Sequence, residues 1–490
     1  MPTPVSADPK PLLEFFREAG FTHDQFQRNP TLRDLPSRRL GNLPDLLERI
    51  AEPTPLHTLL RWFFLGVPIE GEAAAAFVPA PVLALMLATG MLVRDGAALA
   101  PKVMLTPCED SLFAADPAGT LESPESTDMV LWPNPSTRLL QMFAIHRPVE
   151  ATLDLGAGCG LLAVFAAGHS RQVVATDLNP RATEFAGFNV WLNGVKNVEC
   201  LTGDTFEPVR GRTFDLILSN PPFFITPSSD QIYCENSMEL DGFCRQLIRT
   251  APGYLNEGGF LQITLEWVQI KGQAWQDRLR EWLNGTGCDA WVLRSYARSA
   301  AAYAAERISR MMPYSPLTAN QRFEEWMRYY RSGGVEEIQG GILAMRKRSG
   351  DNWTRIEEVS NLDIREPFGD SIVELFASQD KLERDQSLDQ MMAWKPRLPS
   401  EARIDQQLRL DGGEWKPAAM QLQRPGGLPS SLALDPLVAD FLRKCDGSRT
   451  LAELGRDLAA AVKIDPEQVC QQCCAVTRKL VERRLVLLEP

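Results

Sequence analysis

Between Ala151 and Lys347 the hydrophobic positions fall into two alternating rhythms. Short, nearly continuous apolar runs recur seven times: ATLDLGA, QVVATDL, VECLTG, FDLILSN, FLQITLEW, DAWVLRSYA and GGILAMRKR. Runs of this length mark strands buried on both faces. Between them lie longer stretches such as LLAVFAAGH, RATEFAGFNVWLNG and AWQDRLREWLNG, which read as helices with one apolar face. Repeated strand–helix units require a largely parallel sheet covered by helices on both sides. The pattern therefore predicts an α/β, doubly wound core of seven strands.

The flanking segments follow other rhythms. From Thr54, three helical stretches (PLHTLLRWFFLG, IEGEAAAAFV, PVLALMLATG) precede two short apolar runs about the turn Arg94-Asp95-Gly96. Three helices and a hairpin outline a winged-helix-like module, either a reader of nucleic acid or protein, or a scaffold or lid. Basic residues are sparse there, which favours the scaffold. Polar Gly119–Asp128 reads as a boundary. Residues 351–430 are mixed. Beyond them DPLVADFLRKCDG, RTLAELGRDLAAAV and DPEQVCQQCCAVTRKLVERRL predict three helices before strand-like VLLEP, again winged-helix-like. Thr450 and Asp465 stand as helix N-caps, with Glu453 and Gln468 three residues on as a capping box asks. The expected organisation is thus 1–128 N-terminal helical module, 129–350 core, 351–430 connecting segment and 431–490 C-terminal module.

Composition narrows the class. With 490 residues, about three domains are expected. The net charge of −12 gives no global attraction to phosphate backbones and argues against a tight nonspecific nucleic-acid binder. No apolar run of about 18 residues suggests a membrane span, and the first residues do not read as a secretory signal. The ten cysteines are too dilute for a disulfide framework, so reduced thiols in a cytoplasmic protein are expected. Cys470, Cys473 and Cys474 fall on a helix whose apolar stripe includes Val469, Val476 and Leu480. Without a second CxxC or a nearby histidine, core packing rather than metal is expected. His23, His57, His146 and His169 have no ligand-like spacing. No metal is expected anywhere.

The chemistry gathers at strand ends. The first ends in Leu153-Asp154-Leu155-Gly156-Ala157-Gly158-Cys159-Gly160, where glycines permit a sharp turn and a close backbone approach to a ligand. The spacing is G-x-G-x-G rather than the G-x-G-x-x-G of dinucleotide binders. The second strand ends at Asp177, where an acidic residue can grip ribose hydroxyls. The third ends in Gly203-Asp204-Thr205. This set resembles the class I methyltransferases that bind S-adenosylmethionine, whose sheet is Rossmann-like, and the resemblance covers roughly Leu131–Lys347. It implies that Gly156, Ala157, Gly158 and Gly160 line the methionine and ribose, that Asp154 anchors the amino group directly or through water, that Asp177 binds ribose and that Asp204 meets the adenine edge. Leu178, Asn179 and Thr205 are counted with them. A nicotinamide dehydrogenase is the competing reading, and the glycine spacing disfavours it.

The fourth strand ends in Ser219-Asn220-Pro221-Pro222-Phe223-Phe224. A planar amide or exocyclic amine is a poor nucleophile, since its lone pair is delocalised. Two acceptors aimed at its N–H groups orient it and stabilise charge developing on nitrogen. The Asn220 side-chain oxygen and the Pro221 carbonyl supply them, prolines pre-set the loop, and Phe223 can stack on the flat acceptor. Asn220 also borders the cofactor. Phe224, Ile225 and Thr226 line the pocket or pack, and Tyr233 and Glu235 are further pocket candidates. The NPPF motif resembles the methyltransferase small-domain group, which implies N-methylation of protein glutamine, rRNA guanine N2 or adenine N6. The implied partner is a macromolecule, RNA or protein, with a small-molecule acceptor as the alternative. A different class stays open: a catalytically silent scaffold acting through its flanking modules.

Overall fold

The computed structural model describes residues 1–28, 43–117, 127–227, 234–311, 316–359, 367–425, 428 and 430–488. The chain divides into two compact units, 1–141 with 148–360, and 142–147 with 361–490.

The first unit begins with helices. Thr54 starts the helix Pro55–Phe63, its hydroxyl accepting from the His57 N–H. The helices Gly71–Ala75 and Ala80–Ala88 follow. Strands β1 (Ile69–Glu70), β2 (Leu92–Asp95) and β3 (Ala98–Pro101) form an antiparallel sheet in the order β1-β3-β2. The expected three helices and hairpin are therefore present, with β1 added. A second hairpin, β4 (Met104–Cys108) and β5 (Ser111–Ala115), was not foreseen. Side-chain amides hold it to the core. Asn189 accepts from the Ala114 N–H (2.8 Å) and donates to the Ala114 carbonyl (2.9 Å), while Asn193 accepts from Leu112 (2.9 Å). Two asparagines on one helix face thus act as a strand edge.

The central sheet has eight strands: β6 (Val149–Leu155), β7 (Ser170–Asp177), β8 (Val198–Thr202), β9 (Phe214–Ser219), β10 (Leu255–Ile270), β11 (Cys288–Ser299), β12 (Val335–Lys347) and β13 (Thr354–Glu358). Their order is β13-β11-β12-β10-β9-β6-β7-β8. Among the described residues the seven strands expected between Ala151 and Lys347 are present as β6 to β12, and the sheet gains an eighth from beyond them. The added strand, β13, pairs parallel with β11 and lies in the stretch read as a connecting segment. Strands β6 to β10 are mutually parallel, and β12 runs antiparallel to both neighbours. Leu153, Ile217, Leu261 and Leu343 form the buried spine of this sheet. Strand order reverses between β6 and β9, so a crevice opens beyond their carboxyl ends. Register aligns the edge of that crevice, with Leu155 opposite both Thr176 and Ser219.

The second unit contains the helix Gly369–Arg384, strands β14 (Pro396–Arg397), β15 (Arg403–Asp411), β16 (Glu414–Arg424), β17 (Ser430–Leu434) and β18 (Leu487–Leu488), and the helices Pro436–Leu442, Leu451–Val462 and Pro466–Glu482. One hydrophobic cluster joins Trp394, Leu422, Phe441, Leu454 and Leu480. It therefore runs across the expected boundary at 430, and so does a three-stranded antiparallel sheet, β15-β16-β17, to which the stretch read as a connector contributes β15 and β16. Thr450 and Glu453 make the reciprocal cap, and Asp465 accepts from the Gln468 N–H. Cys470, Cys473 and Cys474 are buried in the packing. A Cβ on Gly455 would lie 2.6 Å from the Cys470 Sγ, so the glycine lets two helices close together. Among the described residues no cluster of histidine, cysteine or carboxylate is placed to hold a metal, and no helix is long and apolar enough to cross a membrane.

Candidate active site

The turn after β6 uses left-handed backbone at Gly156, Gly158 and Gly160, with φ of 73°, 55° and 79°. A Cβ on Gly156 or Gly158 would meet nothing within 4 Å, so these two glycines leave open space beside the turn. On Gly160 it would press the Ala186 Cβ at 3.0 Å, so here close packing on the helix Pro180–Leu192 adds to the φ requirement. The N–H groups of Gly156 and Ala157 donate to the Thr176 carbonyl (2.8 and 2.9 Å), tying the turn to the end of β7. From the same helix, Asn189 donates to the Cys159 carbonyl at 2.8 Å.

Two carboxylates stand behind this turn. Asp177, at the end of β7, accepts from Gly158 N–H and Asn179 N–H, each at 2.9 Å. Burial raises its pKa, and these two N–H groups pull back toward the charged form. Asp154 is fully buried one layer below. Its Oδ2 accepts from Ala163 N–H at 2.9 Å, while Oδ1 has no hydrogen-bond partner. Burial pushes its pKa up to about 7, and the charge of Asp177 adds to the rise. Asn179 caps the helix Pro180–Leu192 by accepting from Arg181 N–H, and its amide donates to the Asp128 carbonyl at 2.7 Å.

At the end of β9, Asn220 is held from both sides. Thr264 on β10 donates its hydroxyl to Asn220 Oδ1 (2.5 Å), and Asn220 Nδ2 donates to Thr137 Oγ1 (2.8 Å). Thr137 in turn donates to Asn134 Oδ1 (3.0 Å) at the start of the helix Pro135–Phe143. The donors run one way, from Thr264 to Asn220 to Thr137 to Asn134, with the amide oxygen toward Thr264. The Oδ1 keeps a second lone pair, since a carbonyl oxygen has two.

The loop beyond is braced. Asn236 donates to the Pro222 carbonyl at 2.8 Å. The Ile225 carbonyl accepts from Tyr330 Oη at 2.6 Å, and its N–H donates to Tyr303 Oη at 3.3 Å. The Arg307 guanidinium lies 3.6 Å over the Phe224 ring. Buried Glu266 collects Tyr296, Tyr303 and Arg307, the last at 2.7 Å. Burial raises the pKa of Glu266, and the Arg307 charge and the two tyrosine hydroxyls pull it back toward the charged form.

These elements surround one cavity of about 530 Å³. Gly156, Ala157, Gly158, Asp177, Leu178 and Asn179 form one wall, and Asp204 and Thr205 a second. Asn220, Pro221 and Pro222 face them. Leu178 is 57% exposed, an apolar side chain standing free at the rim. Three residues of the expected set are not on the wall. Asp154 and Gly160 lie beneath it, and Phe223 packs against the hydrophobic cluster of the sheet and edge-on to Phe224. The ring expected to stack on an acceptor is thus partly buried in this packing, off the cavity wall. Ile225 and Thr226 are buried, Glu235 is buried at the cavity wall, and Tyr233 lies outside the described residues. The sequence reading missed Trp132, Asn134, Thr137, Asn236 and Thr264. Only the Asn134-Pro135 helix start carried a local signal.

The fold and this cavity define a class. Residues 134–283 match the family model of the methyltransferase small domain, and that segment belongs to this family of class I methyltransferases. Among similar proteins, the release factor glutamine methyltransferase of Geobacter sulfurreducens is 34% identical over 154 residues, 28% of this chain and 54% of its own. The ribosomal protein uL3 glutamine methyltransferase of Bradyrhizobium diazoefficiens is 33% identical over 126 residues, covering 23% and 40%. The ribosomal RNA small subunit methyltransferase C of Alcanivorax borkumensis is 31% identical over 109 residues, covering 22% and 30%. The chain spans about half the length, or less, of these curated relatives.

Proposed function

We propose that the protein is an S-adenosylmethionine-dependent N-methyltransferase whose acceptor is a planar nitrogen of a macromolecule, foremost the side-chain amide of a protein glutamine. The observation that carries this reading is the shared cavity: a fixed Asn220 amide and the glycine turn with Asp177 face one space. The cofactor, when bound, supplies an electrophilic methyl group on a sulfonium. The residues present suit it. Gly156 and Gly158 leave room beside the backbone, and Leu178 offers an apolar surface for a purine. Asp177 retains acceptor capacity for ribose hydroxyls, and Asp204 stands at the far wall for the adenine edge. Thr205 neighbours it, and the orphaned Asp154 oxygen, buried beneath the wall, would act on an amino group only through a bridging water.

On the acceptor side, Asn220 Oδ1 and the Pro221 carbonyl would each take one N–H of the planar amine. That holds the nitrogen in place and stabilises positive charge as it attacks. Thr264 and Thr137 keep the Asn220 amide from turning over and presenting its NH₂ instead. A protein acceptor suits the net charge of −12 better than RNA. An rRNA guanine N2 acceptor is the second reading, favoured by the likeness to the ribosomal RNA enzyme.

The test is incubation with methyl-labelled cofactor and a cell lysate separated into protein, RNA and small molecules. Label in protein, recovered as methylated glutamine, is expected. Label confined to RNA would select the second reading, and label in neither macromolecule would overturn both.

A further inference from the structure

Strand β15 is an outer strand of the three-stranded sheet in the second unit. Among the described residues β16 is its one paired neighbour, and all nine of its residues are exposed. The free N–H and C=O groups of such a strand are a template for another strand. Two of the usual protections, a proline and a bulge, are missing from β15 itself. It contains no proline, and the irregularity in its pairing falls on β16, where Gln407 faces Ala419 and Leu408 faces Pro417. β15 therefore runs unbroken for about 30 Å.

Its sequence is Arg403-Ile404-Asp405-Gln406-Gln407-Leu408-Arg409-Leu410-Asp411. Reversed about Gln407, the strand complements itself. Arg403 meets Asp411, Asp405 meets Arg409, and Ile404 meets Leu410. The charges and Gln407 share one face; the other carries Ile404, Leu408 and Leu410 together with Gln406, which meets Leu408. On that second face Leu408 is 52% exposed and Leu410 56%, and Trp415, opposite Leu410 on β16, is 66% exposed. A two-fold axis perpendicular to a sheet allows only registers shifted in whole residues about the centre. Centring on Gln406 opposes Arg403 to Arg409, and centring on Leu408 opposes Asp405 to Asp411. Both put like charges together, which is unfavourable.

We propose that β15 pairs antiparallel with β15 of a second copy of this chain across a two-fold axis at Gln407, joining two sheets into one of six strands. The pairing makes Arg403–Asp411 and Asp405–Arg409 contacts twice each and joins the two exposed apolar faces. Within one chain Arg403 leans on Asp405 (3.5 Å) and Gln423 (2.9 Å), and Lys416 on Asp411 (3.2 Å). The ion pairs among these are about half exposed and hold little against rearrangement.

The test is sedimentation equilibrium of the full chain over a wide concentration range. A monomer–dimer equilibrium is expected. Asp405→Arg sets like charges against Arg409 twice and should weaken the dimer at least about ten-fold. The double variant Asp405→Arg/Arg409→Asp should restore it. All these positions are exposed, so thermal melting should match the parent and separates lost pairing from lost folding. Under mild oxidation Gln407→Cys should cross-link to itself, and Arg409→Cys should not. A parent that stays monomeric, including one whose β15 amides become protected only when a different protein is added, would overturn the proposal. So would a dimer indifferent to Asp405→Arg.

Discussion

Asp154 has one oxygen satisfied by Ala163 N–H and one left without a partner in a fully buried position. An unpaired buried carboxylate oxygen is costly, and burial answers that cost by holding the proton to about pH 7. The unfolded value is about 4. The folded chain therefore binds the extra proton between about pH 4 and 7, and this group makes stability fall as pH rises through that window. The penalty is on the order of 4 kcal/mol once the group is fully ionised. A ligand ammonium held above the turn and linked to the free oxygen through a water would favour the ionised form. Cofactor affinity should then rise with pH through about 7, with a proton released on binding. Calorimetry in buffers of differing ionisation enthalpy measures that proton, and Asp154→Asn should flatten the dependence. Affinity that is level with pH in the parent would remove Asp154 from cofactor binding.

At the scale of elements, the clamp is a junction of β9, β10 and the helix Pro135–Phe143. Thr264 and Thr137 come from chain segments far apart in sequence and meet only at Asn220. Thr264→Val keeps the shape of the side chain and removes the hydroxyl. Turnover should fall by roughly ten-fold, less than loss of the acceptor itself would cost. Cofactor affinity should be unchanged, and Thr264→Ser should restore the rate. This junction explains what the sequence could and could not reveal. Buried parallel strands announce themselves as apolar runs, and the G-x-G-x-G turn and Asp177 sit at their ends, so both were legible. Thr264 lies inside FLQITLEW, where nothing local separates a threonine that packs from one that orients an amide. β13 reads TRIEE, polar enough to pass for a connector, and becomes a strand through pairing with β11. Phe223 was read as a stacking ring from its motif, but the apolar surface beneath the loop competes for the same ring and takes it.

For the whole molecule, the methyltransferase small domain accounts for residues 134–283, and the units around it carry neither the glycine turn nor the amide clamp. The central claim is that Asn220 positions the acceptor nitrogen rather than building the cofactor pocket. The most direct measurement compares turnover and cofactor affinity in Asn220→Ala against the parent, using the acceptor found by label transfer. Removing one positioned acceptor should cost about 2–4 kcal/mol in turnover, with the cofactor dissociation constant nearly unchanged. Undiminished turnover, or a loss explained entirely by weaker cofactor binding, would contradict the account.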